Sequence, residues 1–259
     1  MTDDIVVSRE WLADHRDEVA IVDVRDAWEY DGIGHVPGAV SIPFDTFRSQ
    51  TDGDEGMLPG EATFADLMSE AGIESGDTIV AYDDTHGVFA ARFLVTAEIY
   101  GHDDVRLLDG DYSAWNLEYE TKSDVPDVEP TDYEVTRPEE TILIDQAAVE
   151  AAIDTDAVLV DTRDDWEYEE GHIPGAVNLD WKDLVDEETR GLKPREELEE
   201  TLASHGITPD RRVILYCNTA RRISHTYVVL RYLGYETVAF YEGSLTEWNE
   251  ADGPLETGA

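Results

Sequence analysis

The chain carries the same text twice. "IVDVRDAWEYDGIGHVPGAVSI" begins at Ile21 and "LVDTRDDWEYEEGHIPGAVNL" begins at Leu159. The two match at Asp-x-Arg-Asp, at Trp-Glu-Tyr and at His-[Val/Ile]-Pro-Gly-Ala-Val, with one extra residue in the first copy. Farther along, "IVAYDDTHGVFAARFLVTAEIYGHDDVRLLDGDYSAWN" from Ile79 mirrors "VILYCNTARRISHTYVVLRYLGYETVAFYEGSLTEWN" from Val213. Each copy must satisfy one pattern of strands, helices and turns, so the repeat restricts the fold to two like modules. The segment between them, "TKSDVPDVEPTDYEVTRPEE", is charged and broken by Pro126, Pro130 and Pro138, and reads as a connection. The expected organisation is a first module over residues 1–122, a linker over 123–140 and a second module over 141–259.

Within each module, strands alternate with helices. "VAIVDV" and "AVLVDT" are short apolar runs ending at Asp, as buried parallel strands do, and "TIVAY" and "RVILY" follow the same rule. "PGAVSI" and "PGAVNL" are short second strands, and "VRLLDG" and "TVAFYEG" are last strands. "FADLMSEAG", "REELEETLASHG", "ARFLVTAEIYG" and "SHTYVVLRYLG" have helical spacing and stop at glycine. The fold class is therefore α/β, with a mostly parallel sheet flanked by helices in each module. In such sheets ligands sit beyond the carboxyl ends of the strands.

Cys217, the single cysteine, lies directly after the strand "VILY" and so at that end of the second sheet. A helix is expected to be under way by about Ser224, so Cys217-Asn218-Thr219-Ala220-Arg221-Arg222 must turn tightly between the two. A loop feeding a helix N-terminus points several backbone N–H groups into one concavity, which suits an anion. A thiolate there gains from the amides, from the positive end of the helix and from Arg221 and Arg222, so the thiol is expected to titrate below its ordinary value of about 8.5. No acidic residue occurs from Val213 to Leu230.

That basic stretch stands out because the whole chain is so acidic: 61 Asp and Glu against 18 Lys and Arg, a formal net charge of −43. Only Lys122, Lys182 and Lys193 are lysines. Nucleic acid and anionic membranes are repelled by such a surface and are excluded as partners. A disordered acidic chain has few aromatics and weak apolar patterning, whereas aromatics here reach 9% and the pattern is regular. The alternative is a folded protein adapted to molar salt, where the screening length falls to about 3 Å. No apolar run approaches the roughly 20 residues of a membrane helix, and "MTDDIVVSRE" lacks the features of a secretory signal; a cytoplasmic location is expected. One cysteine excludes an internal disulfide and a Cys-x-x-Cys site, and the seven histidines lack a His-Glu-x-x-His spacing, so no metal site is expected.

These residues together resemble the tandem-domain rhodanese family, specifically the prokaryotic thiosulfate sulfurtransferases, over essentially the whole chain. "YEEGHIPGAVNL" fits the family's N-terminal signature, "VAFYEGSLTEW" its C-terminal one except for Leu245 where an aromatic is usual, and "YCNTARRISHT" its active loop. The resemblance implies that only the second module is catalytic, and Asp83 stands where the first module's cysteine would be. It also implies a double displacement without a cofactor. Cys217 takes the outer sulfur of thiosulfate, sulfite leaves, and cyanide or a thiol removes the sulfur from the Cys217 persulfide. Asn218, Thr219, Ala220, Arg221 and Arg222 are then the substrate-binding loop. Two departures stand out. Ala220 replaces the usual loop glycine, and Glu167 replaces the substrate-binding arginine of the animal enzymes. The Gly-x-Gly-Val-Thr loop of mercaptopyruvate sulfurtransferases is absent, which favours thiosulfate.

Other readings stay open. A phosphatase on a similar scaffold needs Cys-x5-Arg, which puts the arginine at Ile223, one residue past Arg222. A non-turnover persulfide carrier and a 3-mercaptopyruvate sulfurtransferase are the nearer alternatives. His225 and Arg163 are candidates for support behind the thiol. However, Arg25 repeats Arg163 in the first module, which favours a structural pairing with a nearby carboxylate, and His225 suits packing. His172 and His35 read as parts of a turn that starts a strand. Trp28, Trp115, Trp166 and Trp248 recur in both modules and are expected in the cores.

Overall fold

A computed structural model describes residues 5–52 and 54–258. The outer limits expected for the two modules, residues 1 and 259, lie outside the described residues. The chain divides into two compact units, Met1–Glu139 with Asp186–Leu192, and Glu140–Val185 with Lys193–Ala259.

In the first unit, β1 (Val6–Val7), β2 (Ala20–Asp23), β3 (Val40–Ser41), β4 (Ile79–Tyr82) and β5 (Val105–Leu108) form one sheet in the order β1-β5-β4-β2-β3, all parallel. Its helices are α1 (Arg9–His15), α2 (Ala27–Gly32), α3 (Glu61–Glu70), α4 (Val88–Ile99) and α5 (Asp111–Glu118). In the second unit, β6 (Val158–Asp161), β7 (Val177–Asn178), β8 (Val213–Tyr216) and β9 (Val238–Phe240) run parallel in the order β7-β6-β8-β9. A parallel bridge between Leu143 and Phe240 takes the edge position that β1 holds in the first unit. The helices here are α6 (Gln146–Ala152), α7 (Asp165–Glu170), α8 (Arg195–Ser204), α9 (Arg221–Tyr232) and α10 (Ser244–Glu250).

The central strands are apolar on both faces because helices cover both. Every residue of β4, β6 and β8 is buried. The two cores repeat each other, with Ile21, Tyr82 and Trp115 in one and Leu159, Tyr216 and Trp248 in the other. The ladder register sets Asp23 beside Tyr82 and Asp161 beside Tyr216. In each unit that carboxylate holds the arginine two residues on. Arg25 binds Asp23 at 2.6 Å and donates to the Gly34 carbonyl, and Arg163 binds Asp161 at 2.6 Å and donates to the Gly171 carbonyl. Burial works against the Arg163 charge, but Asp161 outweighs it, so the guanidinium titrates above its ordinary value.

Two expectations fail here. Trp115 and Trp248 are buried, each with its indole N–H on a backbone carbonyl (Glu120 and Pro254). Trp28 and Trp166 are not core residues; they are 65% and 59% exposed. They lie in the first turn of α2 and α7, beside the caps Asp26 and Asp164, on the outward side of those helices. The short helices α1, α2, α5, α6, α7 and α10 were also not marked by periodicity, since none exceeds eight residues. No helix among the described residues is long and apolar enough to cross a membrane.

Candidate active site

Strand β8 ends at Tyr216 and α9 begins at Arg221, leaving only Cys217-Asn218-Thr219-Ala220 to reverse the chain. The helix is under way by Ser224, as expected, but the loop ends at Ala220, two residues short of the expected Arg222. Ala220, the N-cap, explains the difference: at φ 65° and ψ −8° it makes the turn in a single left-handed step. A left-handed non-glycine residue costs about 1–2 kcal/mol, so the strain expected from the missing glycine is present. Arg221 and Arg222 are therefore the first helical turn, not the loop. Their side chains share the N-terminal end of α9 with its unsatisfied N–H groups.

Cys217 is buried, at 2% exposure. Helix α10 stitches its backbone in place. The Cys217 N–H donates to Ser244 Oγ at 3.1 Å, Ser244 Oγ donates to the Tyr241 carbonyl at 2.9 Å, and the Leu245 N–H donates to the Cys217 carbonyl at 3.0 Å. Thr246 Oγ1 donates to the Asn218 carbonyl at 2.9 Å. Ser244, with φ 50°, and Thr246 were not singled out from sequence, although they sit in the repeated signature "GSLTEW".

The first unit shows what such a loop can hold. Asp83 occupies the position after β4 that Cys217 occupies after β8. Its Oδ1 accepts from the N–H groups of Thr85 (2.7 Å) and Gly87 (2.8 Å), and its Oδ2 from those of Phe89 (2.7 Å) and Ala90 (3.0 Å). Four backbone donors thus converge on a single anion. Burial pushes this carboxyl above its ordinary value, and the four N–H donors pull it back in part.

Around the Cys217 loop lies an ion network. Arg222 binds Glu167 Oε2 at 2.5 Å and approaches Asp164 at 3.7 Å, while Asn218 Nδ2 donates to Glu167 Oε1 at 2.9 Å. Asp164 is also bound by Lys182, which reaches Asp180 at 3.1 Å. The Lys182 hydrogen bond holds the Asp164 carboxyl below its ordinary value, and the same contact raises Lys182. Arg221 is half-buried; burial and then Arg222 lower its affinity for the proton, while Cys217 and Glu167 act to restore it. Thr219 is half-buried on the loop. Glu167 is the residue whose place the sequence did not disclose. Its spacing from Asp164 gave the signal, since Asp-x-x-Glu is a capping box and draws the glutamate back over the helix start.

The remaining candidates make other hydrogen bonds and ring contacts, although the Glu167 charge also acts on Arg163. His225 is fully buried one turn into α9, edge-on to Trp181 with ring centroids 5.1 Å apart. Arg163 makes its hydrogen bonds to Asp161 and Gly171, as Arg25 does to Asp23 and Gly34. His172 and His35 stack on Tyr168 and Tyr30 and bond their carbonyls, within the turn.

The profile described as "Rhodanese-like domain" matches residues 8–118 and again 145–251. The chain belongs to the rhodanese family. This rhodanese is 36% identical to the thiosulfate sulfurtransferase of Corynebacterium glutamicum, over 98% of the chain and 90% of that protein. It is 34% identical to the sulfur carrier protein TtuD of Thermus thermophilus, over 98% of the chain and 97% of the relative. The crystal structure of a 3-mercaptopyruvate sulfotransferase from Escherichia coli superimposes with a TM-score of 0.82 at 26% identity, covering 92% of this rhodanese and 98% of that chain. The protein is thus a rhodanese-family sulfurtransferase of two tandem domains.

Proposed function

We propose that the protein moves sulfane sulfur from thiosulfate to a thiophilic acceptor, cyanide or a cellular thiol, through a persulfide on Cys217. One observation carries this reading: the only thiol of the chain sits at the carboxyl end of β8, in a four-residue loop that runs straight into the Arg221–Arg222 turn of α9. The Cys217 thiolate attacks the outer sulfur. An S–S bond forms to Cys217, the bond between the two thiosulfate sulfurs breaks, and sulfite leaves with its electron pair. An acceptor thiolate or cyanide then takes the outer sulfur and returns Cys217 as thiolate. Loop amides and the two arginines stabilise the persulfide and the departing sulfite. The first unit, with Asp83 in the corresponding position, forms no persulfide, and residues 123–140 serve as its connection to the catalytic second unit. The net charge of −43 supports a cytoplasm rich in salt as the working medium.

The test is the intact mass of the protein after thiosulfate treatment in molar KCl. Wild type gains one sulfur atom and releases one equivalent of sulfite; Cys217→Ser gains none. No loading of wild type sinks the reading. Loading without turnover on any acceptor marks a sulfur carrier, and faster turnover with 3-mercaptopyruvate than with thiosulfate marks that donor.

A further inference from the structure

Arg222 is not waiting empty-handed for an anion. Glu167 already binds it, at 2.5 Å, and Asn218 of the cysteine loop holds the other oxygen of the same carboxylate at 2.9 Å. Asp164 adds a second negative charge 3.7 Å from the guanidinium. The pair is well shielded from solvent, with the Arg222 and Glu167 side chains 18% and 11% exposed, so salt screens it less than it screens an open surface pair.

The corresponding glutamate of the first unit separates two roles. Glu29 accepts the Asp26 N–H at 3.1 Å, and Glu167 accepts the Asp164 N–H at 3.2 Å; both close a capping box. Capping alone therefore accounts for a glutamate at both sites. Only in the second unit does this carboxylate also reach an arginine in the first turn of the helix after the loop. In α4 that turn begins Val88-Phe89 instead.

We propose that Glu167 determines donor specificity, occupying the anion-binding face of Arg222 so that a sulfur donor must displace or coexist with a resident carboxylate. The site then discriminates by charge. The Glu167 and Asp164 charges repel a dianionic donor with twice the energy they impose on a monoanionic one, so the resident carboxylate narrows the preference for thiosulfate over organic thiosulfonates and other singly charged donors. This rests on Cys217 being the sulfur acceptor, as proposed above.

Methanethiosulfonate anion is a suitable probe because a methyl group replaces one charged oxygen of thiosulfate with little change of shape. Cys217 thiolate attacks its outer sulfur, the sulfur–sulfur bond of the donor breaks, and methanesulfinate leaves with the electron pair, so the charge balances. Glu167→Gln keeps an oxygen for the Asp164 N–H and removes the charge. At one fixed KCl concentration it lowers the KM for thiosulfate about tenfold and that for methanethiosulfonate about threefold, the square root expected for half the charge, with kcat within about twofold. Glu29→Gln changes neither KM, and Glu167→Asp, which keeps the charge, stays near wild type. A thiosulfate KM unchanged in Glu167→Gln, or an equal fall for both donors, overturns the proposal. A parallel measurement needs no turnover: sulfate protects Cys217 from iodoacetamide, and Glu167→Gln needs about tenfold less sulfate for half-protection. Equal sulfate requirements in the two proteins overturn the proposal even if wild type proves unable to accept sulfur from thiosulfate, an outcome that would sink only the sulfurtransfer reading.

Discussion

Two loops at the carboxyl ends of central strands face the same electrostatic problem and solve it differently. After β4 the chain spends five residues, 83–87, before α4 begins; after β8 it spends four, 217–220, before α9. The longer loop uses two left-handed residues, His86 at φ 56° and Gly87 at φ 82°; the shorter uses Ala220 alone. In the first, the anion is built in, because the Asp83 carboxylate takes four backbone N–H donors. In the second, the residue at the strand end is a small polarisable thiol with two arginines in the following turn. A loop that satisfies its own amides with a fixed carboxylate is stable and inert. One that places a thiol at the same point takes its carboxylate from elsewhere, with Glu167 holding Asn218 of the loop and Arg222 of the next turn.

The largest test of this contrast exchanges the two residues. Cys217→Asp abolishes sulfur loading entirely, and Asp83→Cys leaves an alkylatable thiol that releases no sulfite, since Val88 and Phe89 stand where the arginines would be. Sulfite release from the Cys217→Asp, Asp83→Cys double variant would break the comparison. Next in size is Asp83→Asn. Its amide has one acceptor oxygen, so two of the four N–H donors lose their partner, at about 2–4 kcal/mol of stability by chemical denaturation. The sign with pH follows from the raised Asp83 value. The folded state holds this proton more tightly than the unfolded state, so the Asp83 contribution is fully present below the ordinary carboxyl range and declines as pH rises through the folded value.

A smaller effect is expected at Arg222. Arg222→Ala raises the KM for thiosulfate about tenfold, and Glu167→Gln then adds less than about twofold, because the two side chains act as a pair. Independent effects in a double-mutant cycle would place Glu167 outside the donor site. The smallest concerns the two N-caps. Ala220→Gly relieves a left-handed alanine and stabilises by about 0.5–1 kcal/mol, whereas Gly87→Ala destabilises by at least as much. A Cβ on Gly87 meets the Leu107 side chain at 3.2 Å. Thermal melts of the two variants should move in opposite directions.

Much of this architecture was visible in the sequence because it is repeated and local. Strands ending at Asp23 and Asp161, the parallel sheets and the position of Cys217 all follow from short apolar runs and their punctuation. Trp28 and Trp166 misled because recurrence marks a required position, not a buried one: each follows closely on a capping aspartate and points away from the core. The contact of Glu167 with Arg222 spans 55 residues, and no periodicity reports a pairing across that separation. Nor does any pattern reveal that residues 186–192, embedded in the second half of the sequence, belong to the first unit.

That seven-residue excursion has a bearing on how the chain matures. Arg190, at φ 64°, sets its guanidinium on the buried carboxylate of Asp111 at 2.8 Å and on the Asp84 carbonyl at 3.1 Å, and the Leu192 N–H caps Asp109 at 2.8 Å. The Arg190 side chain is 31% exposed, so its loss costs less than the ~3–5 kcal/mol of a fully buried pair, yet it leaves the buried Asp111 carboxylate without its counter-ion. On the ribosome the N-terminal half emerges first, yet Asp111 meets its counter-ion only after dozens more codons have been read. Full consolidation of the first half therefore waits on translation of the second, and a nascent chain interrupted at residue 139 carries the buried Asp111 without the cation that neutralises it.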